Sequence, residues 1–294
     1  MISHCNHATL ALMRPALVIT ALMCEATPLI EAWGLRPLRG SEVEERFQLF
    51  YGDGVYLGVS GIGKLRAAVA TSALLTHLLS QNLAPIAVNI GIAGSPPGLA
   101  QLGDLVLVHK VRDVATNSRL YPDILLKHSL KELPLDTYDH PVTTPPSEEA
   151  LVDMECAGFM QAATTLVAPS ETAVLKVISD TCDGTRVSPQ QVSQLVRAVS
   201  DSITATITSL RREVPAPHRL NDQDLQVLEL AVSHARLSVT QRIELERAIL
   251  ATRARGDELS SSFHSILTQP IKSKDQRRIA FAALLETLRG GELP

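Results

Sequence analysis

The chain has 294 residues, 45% of them hydrophobic and only 3% aromatic, with mean hydropathy +0.12 and a formal net charge of −4. That length and hydrophobic content exclude a disordered chain and suffice for one large domain plus a small one, while the negative balance argues against a general nucleic-acid binder. Because Ala, Val, Leu and Ile carry the apolar content, strands buried under helices are favoured over a β-sandwich, and no run reaches the roughly 18 apolar residues a membrane span needs.

Near the start, His4, Cys5 and His7 could chelate a metal, but a terminus without a fourth ligand is the simpler reading, and no metal is expected. Ala8 to Cys24 is the one stretch that mimics a signal peptide; Arg14 and Pro15 interrupt it and it lacks a basic start. The run Ala16 to Met23 reads as a buried strand leading into a helix. Phe47 to Tyr51 and Val55 to Val59 form a hairpin around Gly52-Asp53-Gly54. Ser60-Gly61-Ile62-Gly63-Lys64 then opens onto a buried helix over 65–79. Pro85 to Ile90 is another buried strand, which Asn89-Ile90-Gly91-Ile92-Ala93-Gly94 carries into a tight loop, and Asp104 to Val108 adds one more.

Leu130 to Glu149 contains Pro134, Pro141, Pro145 and Pro146 without periodicity and reads as a loop. Val152-Asp153-Met154-Glu155 opens a helix from Cys156 to Thr165, Ala173 to Ile178 is a strand ending on Ser179-Asp180, and 189–210 is the closing helix. The segment 213–217, with Pro215 and Pro217, looks like a linker. Beyond it, three amphipathic patterns begin at Asn221, Ser238 and Ser273, with Gly290-Gly291 as the stop. The expected domains are therefore 1–212 and a helical module over 218–294, the latter docked on the main domain or on a partner. From Arg211 onward there are 13 Lys and Arg against 11 Asp and Glu, leaving 14 against 20 before it, an excess too small to imply DNA binding. The four cysteines, Cys5, Cys24, Cys156 and Cys182, lie far apart, which points to a reducing cytoplasm rather than to disulfides or zinc.

Three acidic residues stand where a carboxylate would face a cleft, after a strand or at a helix start: Glu25, Glu155 and Asp180. Taken singly, each also suits a helix cap or a dipole partner. Taken together, carboxylates on separate strand ends can divide proton donation, proton abstraction and cation stabilisation.

Read in order, Ala21-Leu22-Met23-Cys24-Glu25, Ser60 to Lys64, Asn89 to Gly94, Gly103-Asp104, Val152 to Glu155 and Ile178-Ser179-Asp180 resemble the motif series of the methylthioadenosine/S-adenosylhomocysteine nucleosidases and the related purine nucleoside phosphorylases, over about 16–210. The resemblance implies a mixed, partly closed central sheet flanked by helices, a small-molecule nucleoside as ligand, no cofactor, and a homodimer or higher homo-oligomer. It implies hydrolysis of the N-glycosidic bond of a purine nucleoside or 5'-substituted adenosine, with a phosphate-dependent phosphorylase or a non-catalytic nucleoside-binding scaffold as the alternatives. Carried over by position, Glu25 activates water, Asp180 protonates purine N7 with Ser179 beside it, Glu155 holds the ribose hydroxyls and Met154 lies against the sugar. Ala93, Gly94 and Lys176 complete the expected substrate contacts. Met23-Cys24-Glu25, in place of a glycine and arginine cluster, repels an anion and favours water over phosphate. The departures are Ile92 in place of a small hydroxyl residue, Lys176 in place of arginine, and a short 113–152 stretch with no aromatic base cover. Tyr121, Tyr138 and Phe159 are the candidate stacking residues.

Overall fold

A computed structural model describes residues 13–146, 149–214, 220–254, 257–271 and 273–288. His4, Cys5, His7, Gly290, Gly291 and most of the 213–217 linker lie outside the described residues. The chain divides into two compact units, Met1–Ala216 and Pro217–Pro294.

In chain order the first unit runs β1 (Ala16–Thr20), α1 (Met23–Ala32), β2 (Arg36–Pro37), α2 (Glu42–Arg46), β3 (Phe50–Gly52), β4 (Val55–Val59), α3 (Lys64–Ser80), β5 (Ile86–Gly94), β6 (Leu105–Asp113), β7 (Arg119–Leu120), β8 (Lys131–Thr137), β9 (Leu151–Asp153), α4 (Cys156–Leu166), β10 (Thr172–Asp180), α5 (Pro189–Ala198) and α6 (Ser200–Glu213). The sheet order is β10-β6-β8-β9-β5-β1-β4-β3-β2, and β10 also pairs with β5. That extra pairing closes β10, β6, β8, β9 and β5 into a ring, while β1, β4, β3 and β2 form an open arm. The expected mixed, partly closed sheet flanked by helices is thus present.

Every residue of β1 is buried, as a strand covered on both faces requires. Its side chains alternate between two cores. Ala16 and Val18 join Ala26 and Leu29 of α1 and Val192, Val196, Ile203 and Ile207 of α5 and α6. Leu17 and Ile19 join Leu74, Leu75 and Leu78 of α3 and Phe159, Met160 and Ala163 of α4. Each fully buried Val, Leu, Ile, Phe or Met among them contributes roughly 1.5–3 kcal/mol, so this two-sided packing holds the strand ends in place. Gly158 lets α3 and α4 cross closely: a Cβ there would lie 2.0 Å from the Lys64 carbonyl oxygen.

Several expectations are corrected. Residues 89–94 are the second half of β5, because β10 pairs with them as far as Gly94. The stretch read as a loop from Leu130 holds β8, whose Leu133, Leu135 and Thr137 are buried; Pro134 hid it and sits where the β6–β8 register shifts, a place where a missing N–H is tolerated. Val152 and Asp153, read as leading into a helix, end strand β9, while α4 starts at Cys156 as expected. The closing helix is two helices, broken at Val199 (φ −112°, ψ 9°).

The second unit contains α7 (Asp222–Ala235), α8 (Val239–Ala254), α9 (Ser261–Ile266) and α10 (Lys274–Leu288). Leu228, Leu245, Ile249, Phe263, Leu284 and Leu288 form its own core. The buried Asp224 carboxylate accepts from the Arg253 guanidinium at 2.7 Å, tying α7 to α8. The sequence pattern predicts three of these helices and misses the short α9.

Candidate active site

The C-terminal ends of β1, β5 and β10 open on a cavity of about 760 Å³, where crevices in such sheets gather ligands. Its wall includes Glu25, Ala93, Gly94, Met154, Glu155, Ser179 and Asp180. The expected site residues therefore converge on one space, with the exception of Lys176, which is buried beneath it.

Glu25, only 2% exposed, lies in the first turn of α1. One carboxylate oxygen accepts from the Ala21 and Leu22 amides (2.8 and 2.9 Å) and the other from the Ile92 amide (3.0 Å). It thus does cap the helix. A carboxylate offers about four acceptor sites, so three amides fix it and leave one free. Burial pushes its pKa up, against the pull of the Lys176 ammonium and the three amides. Gly91 makes room for it: a Cβ there would lie 3.0 Å from a Glu25 oxygen and 3.5 Å from Lys176 Nζ.

Glu155 is the N-cap residue of α4 by position, yet its side chain makes no capping hydrogen bond. Asp153 accepts from the Cys156 amide (2.9 Å) and Thr137 Oγ1 from the Ala157 amide (3.0 Å), and these two serve the helix end. Glu155 instead accepts from the Gly63 amide at 2.8 Å. Gly63, at φ +104°, adopts a backbone that favours glycine, so the Ser60 to Lys64 turn serves to latch this carboxylate. Burial and the neighbouring Asp153 push Glu155 up to about 7.

Under these two lies a buried ion pair. Lys176 Nζ is 2.9 Å from Asp153 Oδ2, and Thr137 donates to Asp153 Oδ1 at 2.7 Å. Burial by itself would lower the Lys176 ammonium, but Asp153, Cys156 and Glu155 together hold it raised and charged. It is the buried counter-charge for the surrounding carboxylates.

Asp180 ends β10 just beyond a register shift between Ile178 and Asp180. Its Oδ2 accepts from the Ser179 hydroxyl (2.7 Å) and its Oδ1 from the Cys182 amide (2.9 Å). Gly94 faces it: a Cβ would meet Cys182 Sγ at 2.6 Å and Asp180 Oδ1 at 2.8 Å. Four carboxylates thus border one cavity, Glu25, Asp153, Glu155 and Asp180, and of these Asp153 is paired with Lys176.

The outer wall is built by two loops whose part in the site the sequence did not reveal: Pro141, Val142 and Thr143, within the stretch read as a loop, and Gly184, Thr185, Arg186 and Val187 opposite. They touch, since a Cβ on Gly184 would lie 3.4 Å from Thr143 Cβ. None of the three candidate stacking residues lines the cavity; Phe159 is fully buried in the core against α3. Asp153 and Gly63 were also missed as members of the site; the acidic residue two before Glu155 is the one signal that could have revealed Asp153.

No protein-family model matches the sequence, and no curated protein does. Solved structures do resemble it. The 5'-methylthioadenosine/S-adenosylhomocysteine nucleosidase from Helicobacter pylori, in complex with butyl-thio-DADMe-Immucillin-A, superposes with a TM-score of 0.56 at 16% identity, over 66% of this chain and 98% of that one. Futalosine hydrolase of Helicobacter pylori gives 0.55 at 16%, over 66% and 97%. The Arabidopsis thaliana 5'-methylthioadenosine nucleosidase gives 0.54 at 20%, over 72% and 99%. Over about two thirds of its length, then, this chain has the fold of the nucleosidases.

Proposed function

We propose that the protein is a hydrolytic nucleosidase that cleaves the N-glycosidic bond of a purine nucleoside or 5'-substituted adenosine. The observation that carries this reading is the convergence of Glu25, Glu155 and Asp180 on one cavity, each held by hydrogen bonds that leave acceptor capacity toward the cavity. Glu25 takes a proton from water as its oxygen bonds to C1' of the sugar. Asp180 gives a proton to N7, so that the C1'–N9 electron pair leaves on a neutral base. Glu155 accepts from the ribose hydroxyls, with Met154 against the sugar, and the negative charges stabilise the cation-like sugar between them.

Water is favoured over phosphate because Lys176, the cation that acts on Glu25, is bonded to Asp153, and two further carboxylates, Glu155 and Asp180, border the same space, while the cavity's other cation, Arg186, is an exposed rim residue. Ile92 supplies Glu25 with a backbone amide, which makes a side-chain hydroxyl there dispensable for orienting it.

The same reading includes a homodimer or larger homo-oligomer in a reducing cytoplasm. Ile62, Leu65 and Val69, which are 53%, 82% and 60% exposed, form an apolar row from the cavity mouth along α3, and Cys24, Cys156 and Cys182 are free thiols. Light scattering that gives a monomer at working concentration counts against the assembly.

The test of activity is base release from methylthioadenosine, S-adenosylhomocysteine, adenosine and inosine, with and without phosphate, followed by chromatography. Release without phosphate supports a nucleosidase, phosphate-dependent release makes the protein a phosphorylase, and silence across the panel makes it a binding protein.

A further inference from the structure

We propose that Arg186 reads position 6 of the base and selects a 6-oxopurine, hypoxanthine or guanine, over a 6-aminopurine. This narrows the nucleosidase reading and rests on it for the placement of the base.

The cavity is unusual for one that holds a planar base: among the described residues no aromatic side chain lines it, and Arg186 is the one cationic side chain in its wall. Arg186 has no hydrogen-bond or ion-pair partner among the described residues, unlike Lys64, Arg112 and Arg14 elsewhere in this unit, which are bonded to carboxylates. N7 and the substituent at position 6 are neighbours on one edge of a purine. If Asp180 meets N7, position 6 faces the segment that follows Asp180. That segment turns back at Gly184 (φ +83°), packs on Thr143 and brings Arg186 into the cavity wall.

Guanidinium offers five N–H donors and no acceptor. A 6-oxo oxygen accepts from it, whereas a 6-amino group presents N–H against N–H and leaves both unmatched. Asp180, whose oxygens already accept from Ser179 and Cys182, is engaged with N7 in the nucleosidase reading, so the group at position 6 is left to Arg186. During cleavage the departing base gains electron density, part of it on a 6-oxo oxygen, and a cation beside that atom stabilises it.

Hypoxanthine and adenine are the probes, titrated calorimetrically into the full chain and into Arg186→Met. Hypoxanthine is expected to bind at least about fivefold more tightly than adenine, the worth of one hydrogen bond of about 1 kcal/mol, with the preference lost in Arg186→Met and partly kept in Arg186→Lys. Equal or tighter binding of adenine, a preference unchanged in Arg186→Met, or no binding of either base overturns the proposal. Base release from inosine and adenosine is read separately: selective binding without turnover removes the nucleosidase reading and leaves the base preference standing, and turnover without selectivity does the reverse.

Discussion

The two ends of the cavity are built by opposite means. At the Glu25 end, side chains are buried and each is fixed by backbone amides or by a charge partner: Glu25 by three amides, Glu155 by Gly63, and Lys176 by Asp153. At the rim, Thr143, Thr185 and Arg186 are exposed residues of loops that follow β8 and β10. Chemistry that needs charges held within tenths of an ångström sits on strand ends and helix starts, and ligand reading sits on loops whose sequence can change without disturbing the sheet. A substitution at the buried end should therefore be costly in rate or stability, and one at the rim should change selectivity at little cost to folding.

The largest effect is expected on rate. Asp180→Asn keeps the size and the acceptor for the Cys182 amide but cannot supply an acid proton, so base release should fall by about 10²–10⁴-fold, the usual worth of a general acid, with an unchanged circular dichroism spectrum. Wild-type rates in that variant would remove Asp180 from the mechanism. Next comes stability. Lys176→Met leaves Asp153 and Glu25 buried without their ammonium, and breaking a buried pair in this way costs on the order of 3–5 kcal/mol, to be read as a shift in urea midpoint. A loss below about 1 kcal/mol, the range of surface pairs, would mean that the pair is not a buried counter-charge.

A smaller effect carries a sign. Glu155 is raised from 4.5 to about 7, so the folded state holds a proton that the unfolded chain has already released between those values. Its ionisation therefore weakens the fold progressively from about pH 4.5 to about pH 7, and the full penalty, on the order of 3 kcal/mol, stands above that. Glu155→Gln, which keeps an acceptor for Gly63, should raise the melting temperature at about pH 8 and leave it nearly unchanged at about pH 4. Equal shifts at both pH values would contradict the raised pKa. Smallest of all, Thr143→Ala at the rim should stay within about 0.5 kcal/mol of wild type, as surface substitutions do.

This contrast also explains what the sequence made legible. Apolar runs such as Ala16 to Ile19 and Ala173 to Ile178, the latter broken only by Lys176, mark strands covered on both faces, and carboxylates at their ends mark the buried part of the site. Strand β8 was hidden because Pro134 interrupts its alternation, and only the sheet shows that it falls at a register shift. For Glu25 the choice between cap and site residue could not be made from spacing, because the side chain lies on the cavity and also bonds the Ala21 and Leu22 amides just before its helix. For Glu155 the capping alternative fails on a contact that no local pattern encodes, the amide of Gly63 some ninety residues earlier. Arg186 had no signal at all: loop closure of 184 on 143 brings it to the wall, and that is a tertiary event.

The measurement that tests the central claim most directly is the fate of the nucleophile's oxygen. Turnover of a purine nucleoside in ¹⁸O-water without phosphate, followed by mass spectrometry of the sugar, should place one heavy oxygen on C1, with the label-bearing product lost in Glu25→Gln. Sugar phosphate formed only when phosphate is added, or release that persists at full rate in Glu25→Gln, would contradict water activation by this carboxylate.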